Sequence, residues 1–344
     1  MEKIVLHCGP VPSPVGGVSI HIQRLSESLK SQGYRVQYCD ESNIFKKNIF
    51  NIRSLNFYQY FKLVLGSDLV HIHSGVDLFR FLNLLAAFLL RRPVVITIHS
   101  WPHETMRTHI WRFLLKMIPC KLIFVSDAIR LKLGLKGEVI PAFVCPNIDD
   151  EPLLPANVLE WFDTQRVKGR KIVSSNAFRI DFHNGCDLYG LDVCVAAMAR
   201  DWLRDNCSLF FVIANPSKSQ SHINHLIETL KNEGLCDQVF IHQGSLSFIR
   251  VIELSDATVR ATNTDGDALS VRESLWLKKI TVASDAVTRP DGTVVFKSRD
   301  VKDLAEKLER ALRFPCIPES IASESLQLDT VTEIVSVYNS AMRI

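Results

Sequence analysis

Three acids, a glycine and a serine fall within ten residues, TDGDALSVRE, from Thr264 to Glu273. Asp265 and Asp267 form a D-x-D pair, a spacing with which enzymes hold a divalent metal against a diphosphate. Ser270-x-x-Glu273 also matches a capping box, in which both side chains satisfy free N–H groups at a helix start. Because an apolar strand pattern gives way to a helical one here, a cradle for a ligand is a third interpretation. The residues alone leave these three interpretations open.

Other positions carry groups that suit ligand binding. Gly16 and Gly17 precede the first predicted helix, where glycine lets backbone N–H groups approach an anion; a plain loop-to-helix turn is the alternative. His99 ends the strand VVITIHS, and ligands of parallel sheets bind at strand ends. His71 and His73 share one face of DLVHIHS, and without a third ligand at a suitable spacing we expect packing rather than metal binding for both.

Arg179 ends the first predicted strand of the second half of the chain, in SSNAFRIDFHNG. A guanidinium group at this place could bind phosphate oxygens in a bidentate fork. A surface ion pair is the competing interpretation of the same position.

The elements that must position these residues follow from an alternation of short β-branched runs with longer amphipathic stretches. It runs from KIVLHC to EVIPAF and restarts at KIVSSNAF, after a segment rich in proline and acid, Cys145 to Lys171. Such alternation predicts parallel sheets covered on both faces by helices. We therefore expect an α/β protein of two Rossmann-like, doubly wound domains, 1–165 and 166–328, facing a central cleft. The last helix, within 329–344, is expected to pack back on the first domain.

Size and composition agree with this organisation. A chain of 344 residues exceeds one hydrophobic core, and 47 % hydrophobic with 22 % charged residues is typical of a folded protein. The N-terminus lacks the features of a secretory signal and no apolar run is long enough to span a bilayer, so a cytoplasmic location is expected. Nine cysteines without a C-x-x-C pair predict reduced thiols rather than disulfides or a zinc site.

The net charge of +3 conceals a basic segment. From Arg24 to Lys136 there are 17 Lys and Arg against 7 Asp and Glu. This excess predicts either a solvated basic face or a surface that contacts anionic lipid headgroups or phosphates. The dinucleotide fingerprint G-x-G-x-x-G does not follow the first strand, which argues against a nicotinamide dehydrogenase.

Nearly the whole chain resembles the family 4 retaining glycosyltransferases, which have the GT-B fold. The most specific match is the stretch described first: the family carries two acids separated by seven residues, and Asp265 and Glu273 keep that spacing, with Asp in place of the commoner Glu. Gly16, Gly17 and His99 stand where the family has its glycine loop and its active-site histidine.

The resemblance implies a role for each matching residue. Glu273 would hold the ribose hydroxyls of a nucleotide-sugar donor, and Asp265 would lie near the donor sugar. The family's Lys is replaced by Tyr189, in DLYGLD, which leaves Arg179 as the cation for the leaving diphosphate. No metal or other cofactor is expected. Backbone N–H groups between the two acids would meet the sugar hydroxyls and the diphosphate; they belong to Gly266, Asp267, Ala268, Leu269 and Ser270.

The implied activity, of hexosyltransferase type, is transfer of a sugar from a nucleotide diphosphate, with retained anomeric configuration, to a glycan or lipid-linked acceptor. The first domain would take the acceptor and the second the donor, and no nucleic acid partner is expected. The basic first domain and the family's habits suggest a bacterial O-antigen, lipopolysaccharide or capsule pathway at the inner face of the cytoplasmic membrane. A noncatalytic nucleotide-sugar-binding subunit is the alternative, because the family's Lys is missing. The absence of an export signal disfavours a two-lobed solute-binding protein.

Overall fold

The computed structural model describes residues 2–12, 15–101, 106–216, 220–265, 267–315 and 330–343, which divide into two compact units. Unit 1 comprises Met1–Cys145 with Asp329–Ile344, and unit 2 comprises Pro146–Leu328. Each unit has one large parallel sheet with helices packed on it, and this confirms the predicted α/β class with two doubly wound sheets. None of the described helices is long and apolar enough to cross a membrane.

The sheet of unit 1 has seven strands in the order β3-β2-β1-β4-β5-β6-β7, and neighbouring strands are parallel. The apolar run VVITI forms a central strand that is buried along its whole length, as expected for a strand covered on both faces. The strands are β1 (Ile4–Gly9), β2 (Arg35–Asp40), β3 (Phe50–Asn51), β4 (Leu69–Ile72), β5 (Val94–Ile98), β6 (Lys121–Phe124) and β7 (Glu138–Val139).

The helices of unit 1 are α1 (Gly17–Ser31), α2 (Phe57–Leu65), α3 (Asp77–Leu89), α4 (Met106–Met117) and α5 (Asp127–Leu133). The final helix of the chain, Thr330–Ala341, also belongs to this unit. Its Tyr338 is fully buried and lies in one apolar cluster with Leu25 of α1 and with Val5 and Val95 of the sheet. The first and last helices of the chain thus contribute to the same part of the core of unit 1.

The large sheet of unit 2 has six parallel strands in the order β12-β11-β8-β13-β14-β15. They are β8 (Lys171–Ala177), β11 (Cys207–Ile213), β12 (Val239–Gln243), β13 (Ala257–Arg260), β14 (Ile280–Ser284) and β15 (Val294–Phe296), with a small antiparallel pair of β9 (Phe182–His183) and β10 (Cys186–Asp187). The helices are α6 (Ala156–Val167), α7 (Leu191–Met198), α8 (Asp201–Asn206), α9 (Gln220–Asn232), α10 (Phe248–Leu254), α11 (Leu269–Trp276) and α12 (Val301–Arg313).

Helix α6 lies near the start of unit 2. Its buried Val158 and Phe162 form an apolar cluster with Ile172 and Phe210, which belong to the central strands of the large sheet. The helix therefore packs in unit 2, and the division between the units lies upstream of residue 165, the boundary expected from the sequence.

Candidate functional site

The switch point of each sheet indicates where a ligand would bind. In unit 2 the first strand, β8, lies between β11 and β13. The chain leaving β8 continues to β11 on one side, whereas the chain leaving β13 continues to β14 on the other, so the strand order reverses between β8 and β13. Doubly wound sheets bind ligands outside the carboxyl ends at this reversal. The residues that follow β8 and β13 include Arg179 and the stretch from Asp265 to Glu273, so the fold brings these predicted residues to the switch point of unit 2.

The start of α11 corrects one prediction. The helix begins at Leu269 and its N-cap is Ala268, whose methyl side chain cannot accept a hydrogen bond. Ser270 is therefore the second residue of the helix instead of its cap, and the capping-box interpretation of Ser270 and Glu273 was wrong. An N-cap precedes the helical residues so that its side chain can reach the free N–H groups, and Ser270 already has a helical neighbour before it.

Glu273 is buried on α11, with 4 % of its surface exposed. A buried carboxylate is costly unless charges or hydrogen bonds from the protein or from a ligand stabilise it. Because the capping box does not account for Glu273, the position requires polar partners of another kind. The neighbouring Ser274 is also buried, and it accepts a hydrogen bond of 2.8 Å from the Thr281 hydroxyl on β14.

Asp265 bridges two arginines of unit 2. Its Oδ2 accepts hydrogen bonds from Arg260 Nε at 3.0 Å and from Arg289 Nη1 at 3.1 Å. Burial raises the pKa of the Asp265 carboxyl, but the charges and hydrogen bonds of Arg260 and Arg289 together outweigh burial, so that the pKa stays below its usual value. The carboxylate is therefore held ionised in a nearly buried place.

Asp267 is also ion-paired. Both of its carboxylate oxygens accept hydrogen bonds from Arg272 Nε, at 2.6 and 2.8 Å. A divalent cation held by Asp265 and Asp267 would have to displace these guanidinium groups or lie among positive charges. The chemistry of this D-x-D pair thus fits arginine pairing better than a metal.

Tyr189 and Gly190 lie beside the same arginine. The Arg260 guanidinium carbon is 5.0 Å from the centre of the Tyr189 ring, a cation–π distance. Gly190 has a φ of +70°, and a Cβ at this position would lie 2.4 Å from the carbonyl oxygen of Ala261. The backbone therefore requires glycine at position 190. Tyr189 stands where the resembled family has Lys, and Arg260 provides a cation next to it.

Arg179 lies at the surface in an ion pair, which was one of the two interpretations of its position. Its side chain is 47 % exposed and donates hydrogen bonds to Asp181 Oδ2 at 3.1 and 2.8 Å. Exposed ion pairs of this kind contribute little free energy, about 0 to 1 kcal/mol. A phosphate could therefore compete with Asp181 for this guanidinium group at small cost.

In unit 1 the switch point lies between β1 and β4. Gly16, with a φ of −151°, is the N-cap of α1, and Gly17 is the first residue of the helix. The Ser19 hydroxyl accepts a hydrogen bond of 2.9 Å from the Gly16 N–H. A Cβ at Gly17 would meet no described heavy atom within 4 Å, so packing in the described part of the chain does not require glycine there.

His99 belongs to a cluster of five histidines in unit 1. It follows β5, and its Nε2 lies 3.2 Å from His73 Nδ1; His73 Nε2 in turn lies 3.0 Å from His7 Nδ1. His71 is hydrogen-bonded through both ring nitrogens, to the hydroxyls of Tyr338 and Thr97. The fifth member, His21 on α1, is bonded through Nδ1 to a backbone carbonyl at 2.7 Å.

The five imidazoles are held neutral. Burial, with a contribution from a neighbouring histidine, lowers the pKa of His7 to about 3, and burial lowers that of His21 to about 4. The pKa values of His71, His73 and His99 are lowered well below the usual value, again chiefly by burial.

Neutral imidazoles can bind metal ions, and two groups of three have ligand atoms within 4.8 Å of one another: His7, His71 and His73, and His21, His73 and His99. Both groups share His73, whose two ring nitrogens are already hydrogen-bonded to His7 and His99. A cation would have to replace one of these bonds. The hydrogen bonds fit the packing role expected for His71 and His73.

The structure thus gathers the predicted residues in two places. Unit 1 has Gly16 and Gly17 at its switch point and His99 after β5; unit 2 has Arg179 and the positions Asp265, Asp267, Ala268, Leu269, Ser270 and Glu273. Gly266 lies outside the described residues.

Sequence reasoning missed Arg260, Arg289, His7 and His21. The sequence contained a partial signal for His7, because the first strand of a doubly wound sheet lies near the centre of the sheet, close to the strand that carries His71. In the structure His7 on β1 pairs with His71 on the neighbouring strand β4. His21 and the two arginines had no comparable signal.

Comparisons with known proteins give a fold but no family. No protein-family model matches the sequence, and no curated protein matches it. Among solved structures, Anabaena HepE in complex with UDP and glucose aligns over 100 % of both chains with a TM-score of 0.72 and 14 % identity. A glycosyltransferase from Rickettsia africae aligns over 99 % of this chain and 96 % of its own, with a TM-score of 0.67 and 16 % identity.

A third similar structure is WaaG, a glycosyltransferase involved in lipopolysaccharide biosynthesis, which aligns over 99 % of both chains with a TM-score of 0.60 and 13 % identity. At such low identity these similarities establish the fold, which is GT-B as predicted, and not the activity.

Proposed function

We propose that the protein is a retaining glycosyltransferase that moves a sugar from a nucleotide diphosphate to a glycan or lipid-linked acceptor. The observation that carries the proposal is the stretch from Asp265 to Glu273, which follows β13 at the switch point of unit 2 and includes a buried glutamate on α11. The similar HepE was solved with UDP and glucose, which supports a nucleotide-sugar donor. A bacterial lipopolysaccharide or capsule pathway is the context that we propose.

Each residue of the stretch has a proposed task. The Glu273 carboxylate accepts hydrogen bonds from the two ribose hydroxyls, since a carboxylate offers an acceptor oxygen to each. Backbone N–H groups at the start of α11, from Ala268 to Ser270, donate to the diphosphate or to sugar hydroxyls, because free amides and the helix dipole favour negative charge there. Asp265 lies near the donor sugar, where Arg260 and Arg289 fix its position and keep it ionised.

The developing charge on the leaving phosphate is the main demand of this reaction. Arg179 is the proposed cation, because its exposed pairing with Asp181 is easily exchanged for a phosphate. Gly16 and Gly17 are proposed to contact phosphate oxygens at the start of α1, and His99 to contact the reacting sugar. Preorganised cations and amides of this kind stabilise the transition state when water is excluded. No metal is needed in this scheme.

Thermal-shift measurements against UDP-, GDP-, ADP- and CMP-sugars test the proposal, since a ligand that binds only the native state raises the melting temperature. We expect one donor class to raise it, and that donor to be turned over with retention of the anomeric configuration. Turnover should survive exhaustive EDTA treatment. A requirement for Mn²⁺ or Mg²⁺ would contradict the metal-free scheme, and binding without turnover would favour a noncatalytic nucleotide-sugar-binding subunit.

A further inference from the structure

Helices α2 and α3 of unit 1 pack side by side and form a continuous surface. The Tyr60 hydroxyl donates a hydrogen bond of 2.8 Å to Asn83 Oδ1, and Arg92 Nη2 donates one of 2.6 Å to the carbonyl of Leu65. These bonds join the helices at their middle and at their carboxyl ends. The two helices therefore present their outer faces together, and we call this surface, with Leu55, the α2–α3 face.

The α2–α3 face exposes many large apolar side chains. Tyr58 is 81 % exposed and Phe57 is 61 % exposed, although aromatic residues usually bury most of their surface. Extended apolar patches mark surfaces that contact another molecule or a membrane. The other exposed apolar residues of the face are Leu55, Phe61, Leu65, Leu78, Phe81, Phe88 and Leu89.

Two adjoining cavities lie on this face, and one of them carries more polar side chains than the other. The first has a volume of about 110 Å³ and is lined almost wholly by apolar and aromatic side chains, among them Phe57, Phe61 and Leu89. It has room for a few carbon atoms, by comparison with an apolar cavity of about 150 Å³ that holds benzene. The second, of about 560 Å³, has a mixed lining that includes Tyr58, Gln59 and Lys62, and Asn56 belongs to both cavities.

The charge around the face is positive. From Ile44 to Arg92 there are seven Lys and Arg against two Asp. Asp68 accepts a hydrogen bond of 2.8 Å from the Ile4 N–H, and Asp77 pairs with Arg80 at 3.2 Å, so both acids are engaged within the protein. Lys46 is paired with Asp40, just outside this segment, so six Lys and Arg remain against two acids and the excess charge is positive.

Two exposed cations border the apolar side chains directly. Lys62 lies about one helical turn from Tyr58 and from Leu65, so that it shares their side of α2. Arg91 follows the carboxyl end of α3, near the exposed Leu89.

We propose that the α2–α3 face docks on an anionic phospholipid bilayer, with Phe57 and Tyr58 inserted at the interface and the end of one hydrocarbon chain in the apolar cavity. Exposed aromatic and aliphatic side chains suit the boundary between headgroups and acyl chains, and neighbouring cations attract anionic headgroups. The apolar cavity suits the end of an acyl chain, and Lys62 in the lining of the adjoining cavity suits the phosphate of the same lipid. A second copy of this chain would bring like charges to Lys62 and Arg91.

Docking is measured by co-sedimentation with vesicles of phosphatidylcholine, with and without one quarter phosphatidylglycerol, in the absence of any donor. Failure of docking is thus distinguishable from failure of the proposed transferase activity. We expect binding to the anionic vesicles that weakens as salt is raised toward about 1 M, because screening shortens the reach of the surface charges. Equal binding to both kinds of vesicle, or none, overturns the proposal.

Variants of exposed residues identify the docking surface. Phe57→Ser with Tyr58→Ser should weaken vesicle binding on the order of tenfold or more, because both side chains lose their apolar burial. Lys62→Gln should weaken it about fivefold, because one attraction to the anionic headgroups is lost.

The matched controls lie in unit 2. Leu153→Ser with Val167→Ser removes two apolar side chains that are at least as exposed, and Lys302→Gln removes an exposed cation. Unchanged binding in the α2–α3 variants, or an equal loss in the controls, overturns the assignment.

Two further measurements test whether a lipid, and not a second protein copy, occupies the α2–α3 face. Ala86 lines the apolar cavity, so Ala86→Leu should fill it and weaken binding of a short-chain phosphatidylglycerol below its micelle concentration. Retained lipid binding by a stably folded Ala86→Leu protein contradicts chain uptake. Analytical ultracentrifugation of the free protein gives the other test: a dimer that the Phe57→Ser, Tyr58→Ser pair dissociates would make this face a protein interface instead.

Discussion

Arg289, whose side chain is only 2 % exposed, donates a hydrogen bond of 3.1 Å to the Asp265 carboxylate, 24 residues earlier in the chain. Arg260 contacts the same oxygen at 3.0 Å. The carboxylate therefore compensates two guanidinium groups that have little access to water. Asp265 is a structural residue of unit 2 as well as a candidate for contact with the donor.

Asp265→Asn should consequently destabilise the protein strongly. Loss of the negative charge leaves Arg289 and Arg260 without this compensation, and removal of one partner of a buried pair costs about 3 to 5 kcal/mol. Urea denaturation measures the change in the free energy of unfolding. Asp181→Asn is the control, because its pair with Arg179 is exposed and its loss should cost at most about 1 kcal/mol. Similar small losses in both variants would show that water reaches the Asp265 site.

The contrast between these two pairs shows what the sequence can and cannot predict. Alternation of apolar runs and amphipathic stretches predicted both parallel sheets, because a strand buried on two faces must be apolar along its whole length. Arg260 ends β13 and Arg289 follows β14, and only the pairing of these neighbouring strands brings Arg289 to Asp265. The sequence pattern therefore did not reveal the two arginines.

The capping box at Ser270 failed for another reason. The Ser-x-x-Glu signal is local, whereas the first residue of α11 depends on how the chain leaves β13, and the helix begins too early for Ser270 to cap it. The histidine cluster was missed because its members lie on or after four different elements, β1, α1, β4 and β5. Strand order and register bring them together, and the register is not visible in a single sequence.

Gly17→Ala separates a glycine needed by a ligand from one needed by the fold. A Cβ at Gly17 meets open space among the described atoms, so the free energy of unfolding should not fall. If N–H groups at the start of α1 approach the donor phosphates, the added methyl should weaken donor binding by about 10-fold or more, the effect of losing one charge-assisted hydrogen bond. Isothermal titration with the donor that passes the thermal-shift screen gives the affinity.

Gly190→Ala is the counterpart of Gly17→Ala. Its φ of +70° and the 2.4 Å approach of a Cβ to Ala261 predict a loss of roughly 1 to 3 kcal/mol in the free energy of unfolding.

Donor affinity that is unchanged in the Gly17→Ala protein would contradict the first of these two predictions and would remove the start of α1 from the proposed binding site.

The histidine cluster makes unit 1 sensitive to acid. Burial lowers the pKa of His7 to about 3 and that of His21 to about 4, whereas an unfolded imidazole titrates near pH 6.5. Below about pH 6.5 the unfolded chain therefore binds protons that the native protein does not, and the free energy of unfolding falls as the pH is lowered toward 4. Glu41 has the opposite effect, because burial raises its pKa to about 7 and the native carboxyl takes up its proton first.

Two variants test these opposite signs. His7→Gln should reduce the slope of the free energy of unfolding against pH by roughly 1 to 1.4 kcal/mol per pH unit between about pH 4.5 and 6, because one proton fewer is taken up on unfolding. Glu41→Gln should make the slope steeper, since the opposing proton release is lost. Only the slope of the free energy of unfolding against pH is compared between proteins, so a loss of stability that is equal at every pH does not affect the test. A slope that His7→Gln leaves unchanged would mean that this imidazole is protonated in the native protein.

Ser270→Ala should not lower the free energy of unfolding by the amount that the loss of an N-cap costs. Because Ser270 follows the first residue of the helix, its hydroxyl does not hold the N-cap position, whose loss costs roughly 1 kcal/mol. Thermal melting should therefore be close to that of the wild type. A cap-sized loss of stability would place the start of α11 beyond Ser270 in solution and would restore the capping box.

Glu273→Gln tests the donor site most directly, since Gln keeps the size of the side chain and one of its acceptor oxygens. Two ribose hydroxyls need both oxygens of a charged carboxylate, and charge-assisted hydrogen bonds contribute roughly 1.5 to 3 kcal/mol. The expected loss is therefore on the order of 10- to 100-fold in donor affinity or in kcat/KM, with a melting temperature close to that of the wild type. Glu306→Gln, on the surface of α12, is the control and should bind donor normally. Wild-type affinity in a normally folded Glu273→Gln protein would show that the donor does not depend on this carboxylate and that the proposed donor site is misplaced.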